Sequence, residues 1–145
     1  SGIEGAVASI SASALCVSSV GEKENGNTMS YASFSFSGAG GAPASNQTII
    51  SAPGANKSLL IHGYQTNLTG VAGATDGYAM LTDGDDGTTN RVYISGIQGE
   101  NCADHSIMLK YPIQLTTNTA LKATTDEQAN HLVFLGTVFY TTIDV

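Results

Sequence analysis

Short runs in which apolar and polar residues alternate, separated by Gly, Asp, Asn and Thr, fill the chain over residues 57–142. Successive side chains of a β-strand point to opposite faces, so each run predicts a strand with one buried face. Along the whole chain there are about nine or ten such runs, at spacings near 8–12 residues, which is typical of a β-sandwich or barrel. Sustained helical spacing is missing from the sequence. The pattern therefore predicts an all-β protein.

Within that class we predict an antiparallel β-sandwich, jelly-roll-like, with about 8–10 strands. A jelly roll accommodates this number of strands and tolerates long connections such as the Gly-, Ala- and Pro-rich residues 38–45. An immunoglobulin-like sandwich is the second choice, because the chain has no Trp and so lacks the Cys…Trp…Cys pattern of those domains.

The clearest alternation covers residues 106–115. It predicts one strand face that carries Ile107, Leu109, Tyr111, Ile113 and Leu115. Pro112 interrupts this run, and a proline lacks the N–H that a central strand donates to its neighbour. We therefore expect an edge strand, a bulge or a bend at this point. A second alternation, over residues 91–97, predicts Val92 and Ile94 on one face, with Arg91, Tyr93 and Ser95 on the other.

The last run, residues 131–143, is apolar on both faces. One face carries Leu132, Phe134, Val138 and Tyr140, and the other carries Val133, Leu135 and Phe139. A strand that is apolar on both faces needs cover on both. Because the second face of a sandwich sheet is ordinarily solvated, we predict that Val133, Leu135 and Phe139 pack against a neighbouring subunit.

The amino-terminal part of the chain differs in composition from the rest. Residues 1–30 alternate small and apolar groups, and we predict that they form weak strands or an extended arm. Residues 31–145 are predicted to form the β-sandwich domain. Its first strand, residues 30–37, should point Ala32, Phe34 and Phe36 inward. A chain of 145 residues is long enough for one domain with a substantial core.

Charge and hydropathy exclude several classes of function. The net charge is −7 and there are five Lys and Arg residues, too few to neutralise a phosphate backbone, so no nucleic-acid partner is expected. No apolar run reaches the eighteen or so residues that a spanning helix needs, and no signal peptide is visible, so no membrane partner is expected. Ser1-Gly2 fits removal of an initiating Met, which favours synthesis in the cytoplasm without export, although a cleaved precursor could leave the same end.

Three constellations offer chemistry, and each also has a simpler interpretation. Asp83, Asp85 and Asp86 gather carboxylates in one loop and could bind calcium, but the spacing is not that of an EF-hand and Asp-Gly pairs are typical of hairpin turns. Asp104-His105-Ser106 contains the residue types of a hydrolase triad, yet neighbours along a strand point to opposite faces.

His62 and His131 could meet across a sheet, although no Cys or carboxylate lies at ligand spacing, so interior or edge histidines are favoured. With no secretory signal, free thiols are favoured over a disulfide for Cys16 and Cys102, and the pairing stays open. The sequence thus predicts no enzyme, no cofactor and no metal site.

Six tyrosines could stack on sugars, at positions 31, 64, 78, 93, 111 and 140. They are spread through different strands, so the favoured interpretation is core or interface residues with a polar handle.

The order of several segments resembles small β-sandwich structural proteins of tailed bacteriophages, of the capsid decoration (cement) or head-fibre type. The resemblance covers about residues 57–145, and it rests on these segments: Leu59-Leu60-Ile61-His62-Gly63-Tyr64, Gly77-Tyr78-Ala79-Met80-Leu81-Thr82-Asp83-Gly84, Arg91-Val92-Tyr93-Ile94, Tyr111-Pro112-Ile113-Gln114-Leu115, Ala120-Leu121-Lys122-Ala123-Thr124-Thr125 and Val133-Phe134-Leu135-Gly136-Thr137-Val138-Phe139-Tyr140.

The resemblance implies a non-enzymatic virion protein on the capsid exterior, made in the host cytoplasm. It implies a homotrimer that bridges subunits of the major capsid protein. The amino-terminal segment would then extend over a neighbouring subunit, with its apolar residues buried there: Ile3, Val7, Ile10, Leu15 and Val17. The alternative is a receptor- or glycan-binding β-sandwich module of a phage fibre or adhesin.

Overall fold

The structure, a computed structural model, describes residues 23–24, 27–37, 45–71, 73–85, 90–125 and 131–145. In this part of the chain every regular element is a strand: β1 Lys23–Glu24, β2 Asn27–Thr28, β3 Ser30–Ser37, β4 Gln47–Ile50, β5 Lys57–Gly70, β6 Gly77–Asp83, β7 Arg91–Ile97, β8 Cys102–Gln114, β9 Leu121–Thr125 and β10 Leu132–Asp144. The all-β prediction is confirmed.

Two four-stranded antiparallel sheets form the sandwich, with strand orders β3-β10-β5-β8 and β4-β9-β6-β7. Strands β1 and β2 pair with each other in a separate small sheet. Within the sandwich the first strand pairs with the last, β3 with β10, and the pairing continues inward through β4 with β9, β5 with β8 and β6 with β7. The chain is therefore one long hairpin rolled into two sheets, which is the jelly roll. The immunoglobulin-like alternative does not have this order.

The core lies between the two sheets and follows the alternation seen in the sequence. In β3, Phe34 is buried and Ala32 and Phe36 pack against the core, as predicted. Phe34 meets Phe134 of β10 edge to face, with ring centroids 5.0 Å apart. Other fully buried side chains come from both sheets: Leu59, Ile61, Leu68, Leu81, Leu121, Leu132 and Val138.

Strand β8 confirms the predicted face of residues 106–115 in part and interrupts it at one point. Ile61 pairs with Ile113 but Gly63 pairs with Met108, so four residues of β8 lie opposite the single residue His62 of β5. The predicted face is kept on both sides of this bulge, because Ile107 pairs with the buried Tyr64, Ile113 packs against the core and Leu115 is buried. Tyr111, within the bulge, is 76% exposed, and Ile107 is 44% exposed because β8 lies at the edge of the sheet. The expectation at Pro112 is confirmed, because β8 is an edge strand and Pro112 lies in its bulge.

Strand β7 keeps the predicted division into two faces at residues 93–95 and departs from it at Val92. Tyr93 and Ser95 lie on the side of the core, whereas Ile94 is exposed. A register shift between Leu81 and Thr82 of β6 accompanies the change, and Val92 packs against the core as well. The sequence could not reveal this, because both faces of residues 91–97 carry apolar groups.

Several predictions fall outside the described residues. These are the strands or arm of residues 1–22 with Ile3, Val7, Ile10, Leu15 and Val17, the thiol of Cys16, the connection over residues 38–44, and Asp86. They stay predictions.

Candidate assembly surface

The outer face of the β3-β10-β5-β8 sheet, which points away from the core, is built from four rows of cross-strand neighbours. We number the rows by their order along β3: first row Tyr31–Phe139–Gly63–Met108, second row Ser33–Thr137–Gln65–Ser106, third row Ser35–Leu135–Asn67–Asp104 and fourth row Ser37–Val133–Thr69–Cys102. Because the side-chain period of a strand is two, all sixteen residues point to the same side.

The first row is apolar and open to solvent. Tyr31 is 72% exposed and Met108 is 59% exposed, at the two ends of the row. Between them Phe139 is half-buried and Gly63 is buried. A Cβ at Gly63 would lie 2.5 Å from the Sδ atom of Met108, so glycine is what allows Met108 to lie over β5.

The structure places Val133, Leu135 and Phe139 together on this face, as predicted. Leu135 is 41% exposed, and Val133 and Phe139 are half-buried. The opposite side of the same strand carries the buried Leu132, Phe134 and Val138. The two-faced character of β10 is thus confirmed, whereas its contact with a neighbouring subunit stays a prediction.

A polar network occupies the third and fourth rows of the face. The Nδ2 atom of Asn67 donates a hydrogen bond to Asp104, and the hydroxyl of Thr69 donates to the Oδ1 atom of Asn67. Six outward-facing side chains line a shallow depression of about 560 Å³ here: Gln65, Asn67, Asp104, Ser106, Leu135 and Thr137. Sequence reasoning missed this group, because Asn67 and Asp104 lie 37 residues apart and no local pattern joins them.

Both edges of this sheet are unpaired among the described strands. β8 forms one edge and β3 the other. Natural proteins usually protect an edge with Lys, Pro, a bulge or a short strand. Lys110, Pro112 and the bulge do so in the second half of β8, but residues 102–108 and all eight residues of β3 contain no Lys, Pro or Gly.

The Asp104-His105-Ser106 sequence does not form a catalytic relay. Asp104 and Ser106 belong to the outer rows, whereas His105 pairs with Thr66 and its ring meets Tyr93 edge to face at 5.6 Å. The imidazole therefore lies on the opposite side of the strand from both potential partners, as the alternation predicts.

The two histidines singled out by sequence do not meet. His62 lies buried in β5, and its Nε2 atom is 2.9 Å from the Oγ1 atom of Thr141. His131 precedes β10, and its carbonyl accepts a hydrogen bond from the N–H of Val71, beyond the far end of β5. Each fits the interpretation of an interior or edge histidine.

The acidic loop after β6 contacts protein groups. Asp83 accepts hydrogen bonds from the backbone N–H and the hydroxyl of Thr116, at 2.9 and 2.7 Å. Asp85 forms an ion pair with Lys122 at 2.6 Å. Among the described residues no group of three or more His, Cys, Asp or Glu side chains is arranged to hold a metal ion.

The remaining candidate side chains divide between core and surface. Tyr64, Tyr93 and Tyr140 lie in or against the core, and Tyr31, Tyr78 and Tyr111 are exposed. Cys102 is an exposed free thiol at the start of β8. None of the described segments forms a helix long and apolar enough to cross a membrane.

No protein-family model and no curated protein sequence matches this chain. Several solved structures, among them the three that follow, are similar to it at low identity. The Tobacco streak virus coat protein is 11% identical, with a TM-score of 0.39 over 85% of this chain and 91% of that one. A structure of disulfide-linked pili that form Bacillus endospore appendages is 15% identical, with a TM-score of 0.33 over 83% and 92%.

The third structure, from the Gx strain of infectious bursal disease virus, is 19% identical, with a TM-score of 0.32 over 81% of this chain and 32% of that one. Similarity at these levels carries no conclusion about function. The function is therefore argued from the surface of this chain.

Proposed function

We propose that this chain is a non-enzymatic structural protein that works by binding other protein subunits through the outer face of its β3-β10-β5-β8 sheet. In its most specific form it is a capsid decoration protein, a homotrimer on the exterior of a virion that stabilises the shell by bridging major capsid subunits. The amino-terminal residues Ile3, Val7, Ile10, Leu15 and Val17 would add buried contacts on those subunits.

One observation carries the proposal, which is the exposed apolar groups on the outer face. In an antiparallel sandwich the face away from the core is ordinarily polar. Here Tyr31, Met108 and Leu135 are exposed on that face, with Phe139 half-buried between them. Burying such side chains contributes about 25 cal/mol for each Å² removed from water, which is the ordinary driving force of subunit association.

The first test is the solution mass of the purified chain by light scattering over a range of concentrations. We expect an oligomer, and we expect Leu135→Ser to shift it toward the monomer without changing the fold seen by circular dichroism. Thr137→Ser, on the same strand and face, is the matched control and should keep the wild-type mass. A monomer at every concentration, together with no binding to capsid subunits, would contradict the proposal.

The decoration role is tested with capsids that lack this chain. Added protein should bind them in a saturable manner and raise the temperature at which the shells break. Removal of residues 1–22 should weaken that binding if these residues form an arm. Saturable binding with no gain in shell stability would contradict the cement role and leave only the binding role.

A second function, a glycan-binding module, is favoured by the polar depression. Asn67 and Asp104 are joined by a hydrogen bond beside Gln65 and Ser106, and Leu135 supplies an apolar surface next to them. Amide and carboxylate groups beside an apolar patch suit the hydroxyls and C–H faces of a sugar. A saccharide array should show binding that Asp104→Ala abolishes and Tyr111→Ala, outside the depression, leaves unchanged. Absence of binding to any saccharide would exclude it.

A further inference from the structure

We infer that copies of this chain join head to tail by pairing residues 102–108 of β8 with β3 of the next copy, which continues the β3-β10-β5-β8 sheet from one subunit to the next. The inference rests on the proposed structural function and names its partner, a second copy of the chain, and the register of contact.

The directions of the two edge strands allow this pairing. All neighbouring strands of the sheet are antiparallel, and the sheet contains four of them, so β3 and β8 run in opposite directions. A second copy placed beside the first in the same orientation therefore presents its β3 antiparallel to β8. The new ladder would have the same geometry as those inside the sheet.

The rows of the outer face select the register. With the four rows aligned across the contact, Met108 at the end of the first row meets Tyr31 of the next copy. The polar rows then meet polar residues, Ser106 beside Ser33 and Asp104 beside Ser35. A shift of two residues would place Met108 beside Ser33 in one direction or Tyr31 beside Ser106 in the other, and a shift of one would turn the faces over. The aligned register is the one that matches apolar to apolar groups.

The bulge of β8 sets the end of the contact. Beyond Met108 the chain leaves the plane of the ladder at residues 109–112, where Lys110 and Pro112 also oppose further pairing. The free part of β8, residues 102–108, thus has seven residues, close to the eight residues of β3. The two edges fit each other in length as well as in direction and chemistry.

The second sheet does not obstruct this arrangement. β4 lies at the same side of the sandwich as β3, and β7 lies at the same side as β8. Side-by-side copies would bring β7 against β4 of the next copy, also antiparallel. Because the two contact surfaces differ, the copy at each end of the chain of copies keeps one free edge until the chain closes into a ring.

The natural thiol of Cys102 gives a test of the register. In the fourth row Cys102 would face Ser37 of the next copy, so Ser37→Cys should allow a disulfide between subunits. Within one molecule these positions lie three strand spacings apart, about 14 Å, which is beyond the reach of a disulfide. The experiment uses a Cys16→Ser background, so that Cys102 and the new cysteine are the thiols that react.

On oxidation, the Ser37→Cys variant should give covalent species at multiples of the monomer mass in a non-reducing gel. If the copies form a closed ring, the largest covalent species has as many copies as the ring. If they form an open filament, the series of covalent species has no upper limit. Ser33→Cys, two rows away on the same strand, is the matched control and should cross-link at least tenfold less. Thermal unfolding of each reduced variant checks that the fold is intact.

A charge test addresses the third row independently. Ser35→Asp would place a carboxylate opposite the Asp104 carboxylate of the neighbouring copy. The repulsion should weaken association about two- to fivefold. Ser35→Lys should strengthen it by a similar factor, and Asp104→Lys added to Ser35→Asp should restore it.

Three outcomes would overturn the inference. Equal cross-linking of the Ser33→Cys and Ser37→Cys variants would exclude the register. Efficient covalent dimers in the Cys16→Ser background alone would show that Cys102 of one copy meets Cys102 of another, which the aligned register does not allow. An oligomer by light scattering that none of these changes affects would contradict the edge contact while leaving the proposed structural function in place.

Discussion

The Nε2 atom of His62 in β5 lies 2.9 Å from the Oγ1 atom of Thr141 in β10, and both side chains are buried. This contact joins the two central strands of the first sheet at the point where their registers shift. A polar pair buried this completely contributes to stability mainly because either member alone would be left without its partner.

Thr141→Val removes the hydroxyl and keeps the shape of the side chain. We expect a loss of about 1–3 kcal/mol in the free energy of unfolding, because this partner of the buried imidazole nitrogen is lost. Chemical denaturation of the two proteins measures it. Thr137→Val on the same strand, whose hydroxyl meets Ser33 at the surface, should change stability by less than about 0.5 kcal/mol. Equal effects of the two changes would argue against the buried pair.

Gly136 and Gly96 form a second matched pair for a stability measurement. A Cβ at Gly136 would collide with the carbonyl oxygen of Gln65 and the Cα of Thr66, which are backbone atoms of β5 that cannot move alone. At Gly96 the nearest atom would be the Gly77 carbonyl oxygen at 3.6 Å, an ordinary contact.

Gly136→Ala should therefore destabilise the fold by about 1–3 kcal/mol or more, whereas Gly96→Ala should be nearly neutral. Thermal unfolding compares them directly. A Gly136→Ala variant as stable as the wild type would contradict the close approach of the β10 backbone to the β5 backbone at this position.

Tyr64 gives the fold a pH dependence at high pH. Burial raises the pKa of its phenol above the ordinary value of 10.0, and the neighbouring Tyr93 raises it further. The folded protein thus holds this proton more tightly than the unfolded chain. The contribution of the protonated Tyr64 to the free energy of unfolding is fully present below about pH 10. It is lost as the pH rises through the raised pKa of the folded state.

Denaturation at a series of pH values from 8 to 11 measures this loss, and Tyr64→Phe should reduce its slope. The tyrosinate absorbance of the folded wild type should also show one group that titrates late. An identical slope in the variant would assign the loss to other groups.

Self-association should strengthen as salt is added. Each copy carries a net charge of −7, so the copies repel one another, and the screening length falls from about 10 Å at 0.1 M salt to about 3 Å at 1 M. Sedimentation at increasing concentrations of sodium chloride should show a tighter oligomer. Weakening on addition of salt would mean that ion pairs, instead of apolar rows and strand pairing, hold the contact.

The fold was accessible from the sequence where alternation is regular and was hidden where it is interrupted. In β3 and β10 the inward and outward residues follow a strict period of two, so the buried Phe34 and Phe134 were predictable. At the bulge opposite His62 the face changes in β5, where Ile61 points to the core and Gly63 lies on the outer face, while Ile113 of β8 returns to the predicted side. Such a bulge leaves no mark in apolar periodicity beyond a proline such as Pro112.

The candidate surface was predictable in part. The outward apolar group of β10 was visible because Val133, Leu135 and Phe139 are neighbours in sequence. Tyr31 and Met108, which complete the apolar row, come from strands far apart in the chain, and only the strand order brings them into line with Phe139. Sequence spacing contains no information about such rows until the pairing of strands is known.

The nested pairing of strands also predicts the order in which the strands pair during folding. The β6 and β7 partners are close in sequence, whereas Ser33 of β3 and Thr137 of β10 lie 104 residues apart. Closing a longer loop costs more entropy, so we expect β3 to join last and to detach first. Amide exchange should show its openings at lower free energy than those of β5. A copy whose β3 has not yet docked could offer β8 but not β3, so the final step of folding would also complete the second contact surface of the subunit.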